Sequence, residues 1–157
     1  MNPKTNVMRL LDAAGYPYHS YTYDGMNGAL SGLEVTKTLG QDPDQVYKTL
    51  VTTGASGKHY VFVIPVGEEL NLKKAANAAK EKKIEMLKAR DLLPLTGYVH
   101  GGCSPIGMKK LFPTILDESV ILWDTILFSA GKIGCQVELS PAHLQEMIPC
   151  TLADVVG

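Results

Sequence analysis

The run Gly97-Tyr98-Val99-His100-Gly101-Gly102-Cys103-Ser104-Pro105-Ile106-Gly107 constrains this chain more than any other stretch. Four glycines and a proline in eleven residues cannot form an ordinary helix or a central strand. Glycine tolerates left-handed backbone and lets a ligand approach the main chain. The run lies in mid-chain between apolar segments, so it is a loop held by a folded core. Such a loop presents backbone N–H groups suited to an ester carbonyl, an oxyanion or a phosphate, although a tight structural turn has the same composition.

Helical and strand periodicities alternate around this loop. Val7, Leu10, Leu11 and Ala14 predict an amphipathic helix over 4–14 that stops at Gly15. Tyr16 to Tyr23 reads as a strand with Tyr21 and Tyr23 on one face. Ser31 and Glu34 form a capping box for a helix ending at Gly40. Val46–Thr53 and His59–Pro65, separated by Gly54-Ala55-Ser56-Gly57, read as a hairpin. Asn71 caps a helix over 72–82, Ile84–Leu87 is a brief apolar run, and Lys88–Leu93 is a short helix before Pro94. Beyond the glycine-rich loop, 114–116, 120–123, 126–129 and 135–139 read as strands. Ser140-Pro141 opens a helix to about Ile148, and 151–156 is a last strand. These elements predict an α/β (α+β) fold over 1–157 as a single domain, with a mixed, mostly antiparallel sheet.

Composition narrows the function classes. The chain has 157 residues, 45% hydrophobic and 20% charged, with a formal net charge of −1. It is not a globally basic nucleic-acid binder. Yet seven of its fifteen Lys and Arg residues fall between 73 and 90, against Glu81 and Glu85. A one-sided basic segment suits phosphates as well as a solvated helix face. No apolar run is long enough to cross a bilayer, and no signal-peptide pattern opens the chain. Three widely spaced cysteines, an odd number, argue against a disulfide framework and for a cytoplasmic location.

Several residues stand out chemically. Strand alternation puts Lys48 on the face of Val46 and Leu50, where a cation must reach water, find an anion or lose its charge. Ser104 lies outside any G-x-S-x-G elbow and is followed by Pro105. Cys103 three residues after His100 invites a cysteine-hydrolase reading, which needs the two side chains within hydrogen-bond reach. Metal-ligand spacing, a P-loop and a dinucleotide fingerprint are all missing, so neither metal nor cofactor is expected.

Tyr23, Lys48-Thr49-Leu50, Leu70-Asn71-Leu72-Lys73-Lys74-Ala75-Ala76, Gly97-Tyr98, Gly101–Lys110, Ser129-Ala130-Gly131-Lys132 and Val137-Glu138-Leu139 together resemble the YbaK/EbsC family. Its members are free-standing relatives of the prolyl-tRNA synthetase editing domain. The resemblance runs from the first helix to Val156. It implies a barrel-like sheet with flanking helices and an aminoacyl-tRNA deacylase that clears cysteine from mischarged Cys-tRNA(Pro). The substrate's own thiol would attack its ester carbonyl. Lys48 would hold the ester or terminal adenosine, Tyr23 would orient the aminoacyl group, and Gly101 would offer backbone contacts. Thr49, Gly102, Ser104, Pro105 and Ser129 would surround the substrate. The implied partners are the acceptor end of an aminoacyl-tRNA and, transiently, prolyl-tRNA synthetase. Two positions depart from the family pattern: Ser31 replaces an aromatic residue, and Gln136 an acidic or small one. The alternatives are a deacylase for another small aminoacyl group such as alanine, a non-catalytic tRNA- or synthetase-binding module, and a Cys103 hydrolase.

Overall fold

The computed structural model describes residues 4–23 and 32–157. In chain order the elements are α1 (Asn6–Ala14), β1 (His19–Thr22), α2 (Gly32–Leu39), β2 (Tyr47–Gly54), β3 (His59–Pro65), α3 (Leu72–Ala79), β4 (Ile84–Met86), α4 (Ala89–Thr96), β5 (Thr114–Asp117), a 3-10 turn (Glu118–Leu122), β6 (Ile126–Ser129), β7 (Cys135–Leu139), α5 (Pro141–Met147) and β8 (Cys150–Ala153). Ser31 of the expected capping box lies outside the described residues.

The strands form two sheets, ordered β1-β7-β6 and β4-β2-β3-β5-β8. Four of the neighbouring pairs are antiparallel, and β5 runs parallel to both β3 and β8. The mostly antiparallel expectation holds, but the strands divide between two sheets. A parallel bridge from Val46 to Leu127 joins them, and no closed barrel forms among the described residues.

The seven-residue β2–β3 ladder organises the packing. Val61 and Val63 face a core shared with Val7, Leu11, Leu116, Phe128, Val137 and Leu144. Phe62 and Ile64 face a second core under Ala75 and Ala76 of α3. A strand covered on both faces must be apolar at nearly every position, which accounts for the unbroken run Tyr60-Val61-Phe62-Val63-Ile64.

The first helix starts at Asn6 and the first strand shortens to His19–Thr22, and four further departures from the sequence expectation have a local reason. The α3 helix stops at Ala79, with Lys80 left-handed at φ 58°. There Glu81 accepts hydrogen bonds from the Ser56 amide and hydroxyl and from the Tyr60 hydroxyl, which draws the chain out of the helix. The α4 helix runs through Pro94, since the Gly97 amide donates to the Leu93 carbonyl (2.9 Å) and the Thr96 hydroxyl to the Leu92 carbonyl (2.7 Å). Residues 118–122 form a 3-10 turn instead of starting a strand, because the Asp117 carboxylate accepts from the Ser119 amide. Only Val120 of that turn is buried. Finally, β8 ends at Ala153, and the Val155 amide donates to the other Asp117 oxygen (3.2 Å).

Asp117, 2% exposed, thus holds two loops through two backbone donors. Asp117→Ala leaves both amides without their acceptor and should cost roughly 2–4 kcal/mol. Urea unfolding should show a lower midpoint at unchanged slope. An unmoved midpoint would mean that water replaces the carboxylate without loss.

Candidate active site

The two sheets part along one edge of β2. At one end the Leu127 amide donates to the Gln45 carbonyl (3.1 Å), and at the other the Leu87 amide donates to the Val51 carbonyl (3.1 Å). Backbone groups alternate along a strand, so those of Tyr47 and Thr49 point off this same edge. No described strand lies opposite them, because β4 pairs only with Thr52–Gly54. The gap opens into a cavity of about 660 Å³, within the roughly 300–1,000 Å³ usual for small-ligand sites.

Its walls come from distant parts of the chain. β2 contributes Tyr47 to Val51, β6 and β7 contribute Phe128, Ser129 and Gln136, and the segment into α4 contributes Met86, Leu87, Ala89 and Leu92. Tyr23, immediately after β1, Val35 of α2, and His100, Gly101 and Cys103 of the glycine-rich loop also line it, with Val46 and Val66. Of the residues expected at the site, Tyr23, Lys48, Thr49, Gly101 and Ser129 therefore meet at one cavity. Gly102, Ser104 and Pro105 do not line it. The Ser104 hydroxyl is fully buried and accepts from the Ile106 amide (3.3 Å), and the Gly102 amide donates to the Val99 carbonyl (3.0 Å). Those three residues shape the loop.

Lys48 behaves as its strand position predicts. It lies opposite Ile64, on the face that Leu50 shares with Phe62. Burial pulls its pKa below the ordinary lysine value, against the weaker opposing pull of Glu69 and Glu68. No described side chain pairs with it, and no carboxylate is among the described lining residues. The Thr49 hydroxyl is buried with no hydrogen-bond partner among the described residues. Gly101 adopts φ 87°, a conformation that favours glycine, and its amide is unpartnered among the described residues. Ser129 Oγ accepts from the Gly131 amide (3.1 Å) and so holds the turn after β6. The Tyr23 amide donates to the Gly134 carbonyl (2.9 Å), anchoring the end of β1 at the cavity.

Sequence reasoning missed the apolar lining from Met86 to Leu92 and the open backbone edge at Tyr47 and Thr49. The first carried only a weak signal, an apolar run ahead of Pro94. The second depends on which strand stands beside β2, and local sequence does not encode that.

The Cys103 hydrolase alternative fails here. The thiol is buried, and burial pushes its pKa up to about 12. His100 is exposed and makes no hydrogen bond to it. A thiol rarely ionised near neutrality, with no base beside it, is a poor nucleophile. No group of three or more His, Cys, Asp or Glu side chains gathers among the described residues. No helix among them is long and apolar enough to cross a membrane.

The profile of the aminoacyl-tRNA editing domain matches residues 29–147. This chain belongs to the aminoacyl-tRNA editing domain family. A relative from Enterococcus faecalis, named as the Cys-tRNA(Pro)/Cys-tRNA(Cys) deacylase EbsC, is 43% identical over 152 residues, covering 97% of this chain and 93% of its own. Two solved structures share the fold. The hypothetical protein APE2540 superposes with a TM-score of 0.87 at 23% identity, covering 98% of this chain and 100% of its own. A protein described as a trans-editing enzyme for prolyl tRNA synthetase superposes with a TM-score of 0.84 at 21% identity, covering 99% of both chains. In this chain the cavity lies at the seam between the two sheets.

Native Cys103 should resist iodoacetamide at pH 8, since a pKa raised to about 12 leaves almost no thiolate at any pH well below that value. All three cysteines should label once urea unfolds the chain. Mass spectrometry of tryptic peptides separates the cases, and rapid native labelling of Cys103 would restore it as a candidate nucleophile.

Proposed function

We propose that this editing domain is a trans-editing deacylase that clears cysteine from mischarged Cys-tRNA(Pro). The observation that carries this reading is Lys48: a half-buried cation with no described anionic partner, on the wall of a cavity otherwise mostly apolar. Such a group suits a site that must hold the negative charge developing on an ester oxygen or the phosphate of a terminal adenosine. The name and 43% identity of the Enterococcus relative support the choice of cysteine.

In this mechanism the protein supplies position and charge, and the substrate supplies the nucleophile. The cysteine sulfur attacks its own ester carbonyl carbon, closing a four-membered thiolactone. The carbon–oxygen bond to the terminal ribose breaks, and that oxygen takes up the proton the thiol gave up. Water then opens the thiolactone to free cysteine. Lys48 and the Gly101 amide stabilise the oxyanion, Tyr23 orients the aminoacyl group, and Thr49 and Ser129 offer polar contacts. Holding sulfur and carbonyl in reacting geometry is proximity catalysis.

Charge distribution suits a tRNA acceptor end. In the basic stretch, Lys74 pairs with Asp154 and Lys83 with Glu85, each at 2.9 Å. Lys73, Lys80, Lys82, Lys88 and Arg90 are exposed and free of ion pairs among the described residues. Lys88 and Arg90 flank Ala89, which lines the cavity, so phosphates beyond the terminal adenosine would meet cations at the rim. The 157 residues act as one editing unit. A transient complex with prolyl-tRNA synthetase in the cytoplasm belongs to the same reading, supported by the description of the structural relative.

Lys48→Ala should lower kcat/KM for cysteinyl-tRNA by about 10²–10³-fold, the usual cost of one oxyanion-stabilising donor, with the thermal midpoint retained. S-methylation tests the nucleophile. Free cysteinyl-tRNA should be cleaved rapidly and S-methylcysteinyl-tRNA hardly at all. Equal rates would leave a water-attack deacylase on the same fold, and equal cleavage of alanyl-tRNA would favour the broader specificity.

A further inference from the structure

An amide pair beside the cavity, one member buried and one partly exposed, has no role in the mechanism above. Gln136 sits on β7, opposite Ser129 of β6, and is 4% exposed in a strand that otherwise buries Cys135, Val137 and Leu139. Its Oε1 accepts a 2.8 Å hydrogen bond from Nε2 of Gln41. The Gln136 Nε2 has no hydrogen-bond partner among the described residues, although the side chain lines the cavity. Gln41 does not line it. Gln41 follows α2 and is partly exposed, yet its Oε1 is buried without a donor.

An amide buried in a core strand is costly when half its hydrogen-bonding capacity goes unused. The single bond to Gln41 ties down one end of the Gln136 amide and leaves the other unpaired at the cavity. The Gln136 amide can turn around only if that of Gln41 turns with it, so Gln41 fixes where the Gln136 amide sits and leaves its other end free toward the ligand.

We propose that Gln41 is a positioning residue that holds the Gln136 amide in place as a hydrogen-bonding partner for the substrate side chain. The site is thereby selective for aminoacyl groups that carry a heteroatom one bond beyond Cβ. The inference rests on the deacylase reading for the identity of the ligand. The physical argument is asymmetric rejection. A site built to hydrogen-bond a ligand atom discriminates against an analogue lacking it, because the buried group is then left unpaired. Thiol and hydroxyl side chains both donate and accept and so satisfy the free end of the amide, and a methyl group of the same size does not.

The test uses 3′-amide-linked seryl-adenosine and 2-aminobutyryl-adenosine, which differ by a hydroxyl against a methyl group and cannot be cleaved. Direct calorimetric titration needs no turnover, so it is independent of whether cysteinyl-tRNA is the substrate; deacylation by the wild-type protein tests that separately. The wild-type protein should bind the seryl probe at least about tenfold more tightly. Gln136→Leu should bring the two affinities within about twofold of each other. Gln41→Met, which keeps the chain length and removes the amide, should lower the ratio in the same direction without changing the thermal midpoint. Should Gln136→Leu fail to fold, Gln41→Met at its partly exposed position carries the test. A wild-type ratio near one overturns the proposal. So does a wild-type ratio retained in Gln41→Met, including one that accompanies equal loss of both probes, since a purely structural role predicts that pattern.

Discussion

The β2–β3 ladder is the constraint on which the rest of the structure depends. Its seven paired residues set which side chains of β2 face the α3 core and which face the larger core. The same ladder uses only one edge of β2. The other edge is covered at its two ends, by Leu127 at Gln45–Val46 and by Leu87 and β4 beyond Val51. An edge left open in the middle would ordinarily be a liability. Here it is sheltered by the glycine-rich loop and by the segment from Met86 to Leu92, which turn it into the wall of a cavity.

That arrangement explains why the site holds a destabilised cation. Lys48 lies on a strand face whose neighbours are Leu50, Ile64 and Phe62, and burial lowers its pKa. A lysine with a depressed pKa favours the unfolded state whenever it is protonated there, so its charge opposes folding over the neutral range. The fold supports that cost through two apolar cores, one of which shares Tyr47, Val51, Cys103 and Phe128 with the cavity wall. Perturbed groups of this kind collect at functional sites, where their unpaired charge is available to a ligand.

The resemblance at particular residues anticipated Tyr23, Lys48, Thr49, Gly101 and Ser129, and these do converge on one cavity. Gly102, Ser104 and Pro105, which it also implied around the substrate, do not line that cavity. Adjacent residues of a tight turn point in different directions, and only one side of this turn faces the ligand space. The strand expected at 120–123 failed for a related reason. Val120, Ile121 and Leu122 are apolar, but a carboxylate just before them captures the Ser119 amide and starts a turn.

By itself, the sequence determined the elements that depend on neighbours along the chain: the hairpin around Gly54–Gly57, the helices closed by Gly15 and Gly40, and the lysine on an apolar strand face. Those follow from backbone conformation and from side-chain periodicity, which are local. The tertiary structure alone decided that the strands separate into two sheets, that the seam between them falls at Tyr47–Val51, and that Gln41 meets Gln136 from 95 residues away. These depend on which edges pair across long stretches of chain, and pairing is settled by how much apolar surface the whole assembly buries.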